Sequence, residues 1–304
     1  MKNNTYKAHL ALLGANLIYG ANYIIAKGIM PDMIGPSAFI FIRVVGAIIL
    51  FWILKSYVKE KVDKKDFPLL VLGGLLGTAT NQLFFFHGLN LTSPVDASII
   101  ITAIPVLVLI FSAFILKERI TKNKLIGLII GAIGAILLVW YGQSSGGTSS
   151  LLGNIFVLIN SISYALYLVL IKPLLKKYSP ITVISWVFLF GFIFVFPIGI
   201  QDVLTTNFEA FTIHTYVTIA FVIIGTTFLA YLFNIYALSK VSPSVNSSYI
   251  YLQPAISFIM VSIYAFVLGH EEYAQDINLV KIVSCLLVII GVYLISKKPV
   301  EKLT

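Results

Sequence analysis

Apolar residues in this chain come in long blocks separated by short polar breaks. Ten such blocks, each of roughly 18 to 25 residues, run approximately 8–28, 35–56, 67–89, 93–116, 124–141, 151–171, 180–200, 213–237, 242–268 and 278–296. As a helix, each is long enough to cross about 30 Å of hydrocarbon. In lipid the backbone must satisfy its own hydrogen bonds, so apolar blocks of this length predict helices. The pattern therefore predicts an all-α polytopic membrane protein with ten transmembrane helices and little sequence left for a soluble domain. The first block follows Lys2 and Lys7 in the manner of a signal peptide, but the pattern downstream makes it the first of five helices in a repeat.

The repeat is visible in the letters. HGLNLTSPVDASIIITAIPVL around Pro94 returns as YALSKVSPSVNSSYIYLQPAI around Pro243, and each copy reaches a second proline, Pro105 or Pro254, at the same spacing. Tyr19 precedes Lys27 by eight residues, as Tyr164 precedes Lys172. Five helices is an odd number, so the second copy must enter the membrane from the opposite side. The loops fit this inversion: KERITKNK after the fourth block corresponds to the acidic GHEEYAQDIN, and KSYVKEKVDKKD corresponds to QDVLTTNFEA. The expected units are residues 8–141 and 151–296, two inverted five-helix repeats joined by the flexible linker GQSSGGTSS at 142–150.

Composition agrees with a lipid setting. Of 304 residues, 59% are hydrophobic and 11% charged, with a mean hydropathy of +0.98; a soluble globule needs more polar surface. The formal charge of +9 does not point to nucleic acid, because the basic residues occupy short loops. Eighteen of the 21 fall in alternate loops and the termini, which puts both termini in the cytoplasm. Asp32, Asp202, Glu209, Glu271, Glu272 and Asp276 lie in the other set. The single cysteine, Cys285, sits in an apolar run and excludes an internal disulfide framework.

Polar side chains inside the blocks are the candidate chemistry. Asn16, Tyr19, Tyr23 and Lys27 follow helical steps on the first helix; Asn160, Tyr164 and Tyr167 do so on the sixth, and Asn246, Tyr249, Gln253, Ser257 and Tyr264 on the ninth. Asn81 and Gln82 on the third helix, with Tyr231 and Asn234 on the eighth, complete the candidate substrate pathway. Such stripes turn away from lipid, either to line a cavity or to bond helices together. Arg43 stands about eight residues inside the second block, where a charge needs a partner or water. Asp96 is the expected partner by depth, in a pairing that either braces the bundle or senses substrate. His87, at the outer end of the third helix, suits either a proton relay, with Asp96, or a structural role. Pro105 and Pro254 each free a backbone carbonyl, for a bend or for a cavity. No histidine or carboxylate cluster has metal-ligand spacing. The phosphate-binding, zinc-protease and serine-hydrolase motifs are also missing, so neither a metal, a cofactor nor an enzyme is expected.

Arg43, the TSPVDAS and VSPSVNS openings of the fourth and ninth helices, the prolines that follow, Glu118 and Glu271 closing those helices, and the glycine-spaced GLIIGAIGAILL resemble the ten-helix drug/metabolite transporter superfamily, specifically the EamA-like permeases. Pro105 and Glu118 are 13 residues apart but Pro254 and Glu271 are 17, a departure from the repeat of about one turn. The resemblance implies a secondary transporter in a bacterial inner membrane that exports or exchanges small organic metabolites such as amino acids. Trp186 and Phe84 to Phe86 are then expected to shape gates. A channel or a small-solute sensor is the alternative, and an intramembrane enzyme a more distant one.

Overall fold

The computed structural model describes residues 2–27, 33–92, 97, 100–141, 150–253, 255–256, 259 and 279–297. Among them there is no strand, and ten helical rods follow the ten apolar blocks. In chain order these are α1 (Lys2–Lys27), α2 (Pro36–Ser56), α3 (Lys64–Leu91), α4 (Ile104–Ile115), α5 (Lys122–Tyr141), α6 (Leu151–Leu170), α7 (Pro180–Thr205), α8 (Ile213–Lys240), α9, which opens with Pro243–Ser248, and α10 (Leu279–Ser296). Five described helices are long and apolar enough to cross a membrane, and shorter apolar ones accompany them. Large aliphatic side chains such as Ile49, Ile53, Ile193 and Ile290 are about half exposed, as expected of a surface solvated by lipid.

Serine and proline set several helix starts. Ser179 accepts from the Thr182 amide and Ser242 from the Val245 amide, each followed by proline in the first turn. A hydroxyl cap satisfies an amide with no intrahelical partner, and proline has no amide to leave unpaired. The VSP motif is thus a helix-start signal. Ser150 and Thr212 cap α6 and α8 in the same way.

Three elements differ in detail from the sequence expectation. α7 continues to Thr205, beyond the expected end at 200, and carries Pro197 inside it; the polar residues Gln201 and Asp202, which end the apolar block, still belong to the helix. Pro105 does not kink a continuous fourth helix. The helical turn before it closes with a bond from the Ala103 amide to the Ile100 carbonyl, and Pro105 then sits in the first turn of α4. α9 changes from α to a 3-10 turn at Tyr249–Tyr251. Pro254, Ser257, Tyr264 and Glu271 lie outside the described residues.

The packing partners form a regular set. α2 lies against α7, α5 against α10 and α4 against α9, while α1–α8 and α3–α6 are further close pairs, as are α2–α8 and α3–α7. Exchanging the first five helices for the last five turns α1–α8 into α6–α3 and α2–α8 into α7–α3, and leaves the other three pairs unchanged.

Candidate functional site

α3 and α8 are each interrupted by a π-helical segment, Leu75–Thr80 in one and Val222–Leu229 in the other. A π turn widens the helix and takes backbone carbonyls out of their usual pairing, and such turns recur at functional sites. Polar side chains bond backbone carbonyls within these segments and just after them. Ser163 on α6 donates to the Leu76 carbonyl at 2.7 Å, and Asn160 donates to the Asn81 carbonyl at 2.7 Å. In α8, Thr227 donates to the Val222 carbonyl at 2.8 Å, and Asn246 donates to the Asn234 carbonyl at 3.1 Å.

Arg43 lies beside the second π turn, 4% exposed. Its Nε donates to Thr227 Oγ1 at 3.1 Å, and its guanidinium stands over the rings of Phe86 and Phe39, 4.9 and 5.5 Å from their centroids. Among the described residues, Nη1 has no hydrogen-bond partner. Asp96, the expected partner, lies outside the described residues; among those described, a hydroxyl and two aromatic faces hold Arg43.

Tyrosines and amides surround this point. Tyr19 packs edge-on to Tyr231, with centroids 6.4 Å apart, and the Tyr231 hydroxyl donates to Asn81 Oδ1 at 3.3 Å. Tyr164 stacks on Tyr167 at 5.9 Å, and Asn234 lies beside the Tyr164 hydroxyl. Gln82 is close to the Tyr231 hydroxyl, yet neither its Nε2 nor its Oε1 completes a hydrogen bond. The structure therefore brings Arg43, Tyr19, Asn81, Gln82, Asn160, Tyr164, Tyr231 and Asn234 into one buried region drawn from five helices.

Other candidate residues stand apart from it. Asn16 donates to the Leu12 carbonyl and accepts from Gln253 at 2.9 Å. Tyr249 pairs with His9 Nδ1 at 2.7 Å, near the start of α1. The single stripe expected for Asn246, Tyr249 and Gln253 is divided, because the 3-10 turn rotates each residue by about 120° where an α-helix rotates it by about 100°. Asn246 turns to α8; the other two turn to α1. His87 meets Ser37 Oγ at 3.1 Å. Tyr23 lies within α1, but its side chain is outside the described residues, as is that of Lys27. Of the expected gate aromatics, Trp186 packs among Trp52, Phe67 and Phe190, whereas Phe86 covers Arg43.

Sequence reasoning missed Thr227, Ser163, Phe39 and His9. One signal was available, because a Gly-Thr pair inside an apolar helix occurs at 77–78 and again at 225–226, within both π segments. Asn160→Leu should orphan the Asn81 carbonyl. Its expected cost is about 1 to 3 kcal/mol, read as a lower melting temperature of the detergent-solubilised protein, whereas Asn160→Ser should lose less.

The lysine-rich face is tied shut. Asp66 accepts from Lys177 at 2.8 Å and from the Tyr178 hydroxyl at 2.7 Å. Glu60 accepts from the Ser179 amide at 3.0 Å. Burial alone would raise the Glu60 carboxyl, but hydrogen bonds from Thr182 and Ser179 and the nearby Lys55 outweigh it and hold it below the ordinary glutamate value. Glu118 pairs with Lys124 and accepts from Ser244 Oγ at 3.0 Å. Lys172, expected as a loop lysine, instead caps α8 through the carbonyls of Leu238 and Val241. A recess of about 210 Å³ beside these groups is lined by Leu116, Glu118, Lys172, Pro173, Lys176, Ser242 and Pro243.

Comparison with known proteins gives a consistent result. The model of the EamA-like transporter family matches residues 6–140 and again 151–297. An uncharacterized transporter of Archaeoglobus fulgidus is 28% identical over 239 residues, covering 79% of this chain and 81% of its own. The uncharacterized transporter YyaM of Bacillus subtilis is 24% identical over 289 residues, covering 93% and 92%. One solved crystal structure superposes with a TM-score of 0.72 at 17% identity, covering 94% of this chain and 95% of the other, which establishes the shared fold.

Proposed function

The chain belongs to the EamA-like transporter family, and we propose that it is a secondary transporter that moves small organic metabolites, amino acids or related compounds above all, by alternating access. The halves 8–141 and 151–296 act as the two inverted five-helix repeats, in a bacterial inner membrane with both termini cytoplasmic. One observation carries the reading: the helix pairs exchange into one another when the halves are exchanged, with a π turn at matching places in α3 and α8. Two similar halves that can swap conformations convert an opening on one side into an opening on the other. The tied lysine-rich face is then the closed cytoplasmic side. Substrate passes the region around Arg43, Tyr19, Asn81 and Tyr231, and His87 with Asp96 forms the proton route if flux is proton-coupled. The reading assigns the chain no enzymatic chemistry, no cofactor and no nucleic-acid partner.

Counterflow in liposomes tests this. Purified protein should accelerate exchange of a labelled amino acid from a mixed set against unlabelled pool, without measurable conductance. Conductance would favour a channel, and neither signal would overturn the transporter mechanism.

A further inference from the structure

A guanidinium nitrogen with no partner among the described residues, in the middle of a membrane bundle, requires a physical explanation, because a charge at that depth costs several kcal/mol unless something neutralises it. Thr227 takes Nε and the guanidinium stands over the rings of Phe39 and Phe86, but none of these groups carries a negative charge, and among the described residues Nη1 has no acceptor. Among the described residues, the titratable groups whose charge acts on Arg43 are Tyr231 and Tyr19. Gln82 lies one helical turn before Phe86 on the same face of α3, and both atoms of its amide are buried and unpaired. The region thus presents a cation edge, a spare amide donor and a spare amide acceptor, walled by aromatic rings.

We propose that Arg43 is the carboxylate anchor of the substrate, taking a solute carboxylate end-on through Nη1 while the Gln82 amide hydrogen-bonds the same solute. This deepens the transporter reading and rests on it. A guanidinium held at Nε by Thr227 and packed over the adjoining rings of Phe39 and Phe86 is oriented before the ligand arrives, which lowers the ordering cost of binding. Its charge-assisted bond selects a carboxylate over the matching amide or amine. Solutes bearing a carboxylate and an apolar or amphipathic body fit this region, whereas polyamines and uncharged nucleosides do not.

The test uses full-length protein in detergent and matched triads of acid, primary amide and decarboxylated amine built on leucine, serine, phenylalanine and lysine. A free carboxylate should produce a concentration-dependent rise in melting temperature in at least one triad, and its amide and amine should not. Arg43→Gln should weaken that binding about 10- to 100-fold, and Arg43→Lys, which keeps the charge without the planar fork, should retain part of it. Gln82→Leu should weaken the same ligand less. If amide and acid stabilise alike, if no carboxylate in the panel stabilises, or if Arg43→Gln keeps wild-type affinity, the anchor is wrong. Should Arg43→Gln not fold, the triads on the unmutated chain with Arg43→Lys decide. Carboxylate-selective binding without counterflow keeps the anchor and removes alternating access, whereas counterflow of acid and amide alike does the reverse.

Discussion

Gly291→Val is expected to abolish recovery of monodisperse protein, or to lower its melting temperature more than any other single change proposed. A Cβ at Gly291 would lie 2.6 Å from both the Cα and the amide nitrogen of Gly131 and 2.7 Å from the Gly127 carbonyl oxygen. All three atoms are backbone, so no rotamer change can relieve the overlap. The approach is reciprocal: a Cβ on Gly127 meets the Gly291 carbonyl at 2.7 Å, and one on Gly134 meets the Ser284 carbonyl at 2.8 Å. Small residues spaced this way let two membrane helices approach backbone to backbone, where dispersion drives association in the absence of a hydrophobic effect. Valine must push α10 away from α5 along their whole contact. Overpacking of an ordinary core costs about 1 to 3 kcal/mol, and a backbone clash across a helix pair belongs at or beyond the upper end. Ile290→Val is the control: Ile290 is 47% exposed and should shift stability by no more than about 0.5 kcal/mol. A Gly291→Val protein as stable as its parent would mean that the helices do not meet through Gly131.

The glycine spacing of α5 was visible in the letters, and so were the rods, the VSP helix starts and the doubled arrangement of Tyr and Lys. These features depend on local chemistry or on position along a helix axis. Features that depend on rotation about that axis were harder to read. Depth alone pairs Arg43 with Asp96, which lies outside the described residues, and gives no hint of Thr227, which meets Arg43 where α8 departs from α-helical geometry between Val222 and Leu229. The stripe on α9 fails for the same reason, since a 3-10 turn inside it sends Asn246 and Tyr249 to different neighbours. Lys172 counts as a loop charge by sequence, yet it caps two carbonyls at the end of α8. In each case the deciding interaction joins residues far apart in sequence, and several of the polar groups serve backbone carbonyls as well as facing the centre of the bundle. Asn160 and Asn246 illustrate this double role. Their amides bond carbonyls that follow the two π turns, Asn81 and Asn234.

The second large effect concerns the ties across the lysine-rich face. Asp66 to Lys177 and Tyr178, Glu60 to the Ser179 amide, and Glu118 to Ser244 each join a residue before the serine-rich linker to one after it. In an alternating-access cycle, such bonds exist only while this face is closed, so they bias the closed state by their full differential strength. Lys177 is half exposed, which reduces its share through solvent screening. The double change Asp66→Asn with Glu118→Gln removes charge but keeps hydrogen-bonding groups, and about 1 to 2 kcal/mol is a reasonable joint loss. That corresponds to a shift of about 5- to 30-fold toward the open form. Spin labels at Tyr57, 82% exposed, and Lys240, in a background with Cys285 replaced by serine, should report a longer or broader distance distribution in the double variant. An unchanged distribution would mean that the ties do not set the equilibrium. Acid provides an independent check on Glu60. Because its carboxyl titrates below its ordinary value of 4.5 when the face is closed, its contribution is present above that value and lost as pH falls through the lower one. The unmutated protein should therefore open toward the double variant's distribution as pH falls below the ordinary glutamate value, and Glu60→Gln should remove Glu60's part of that pH response.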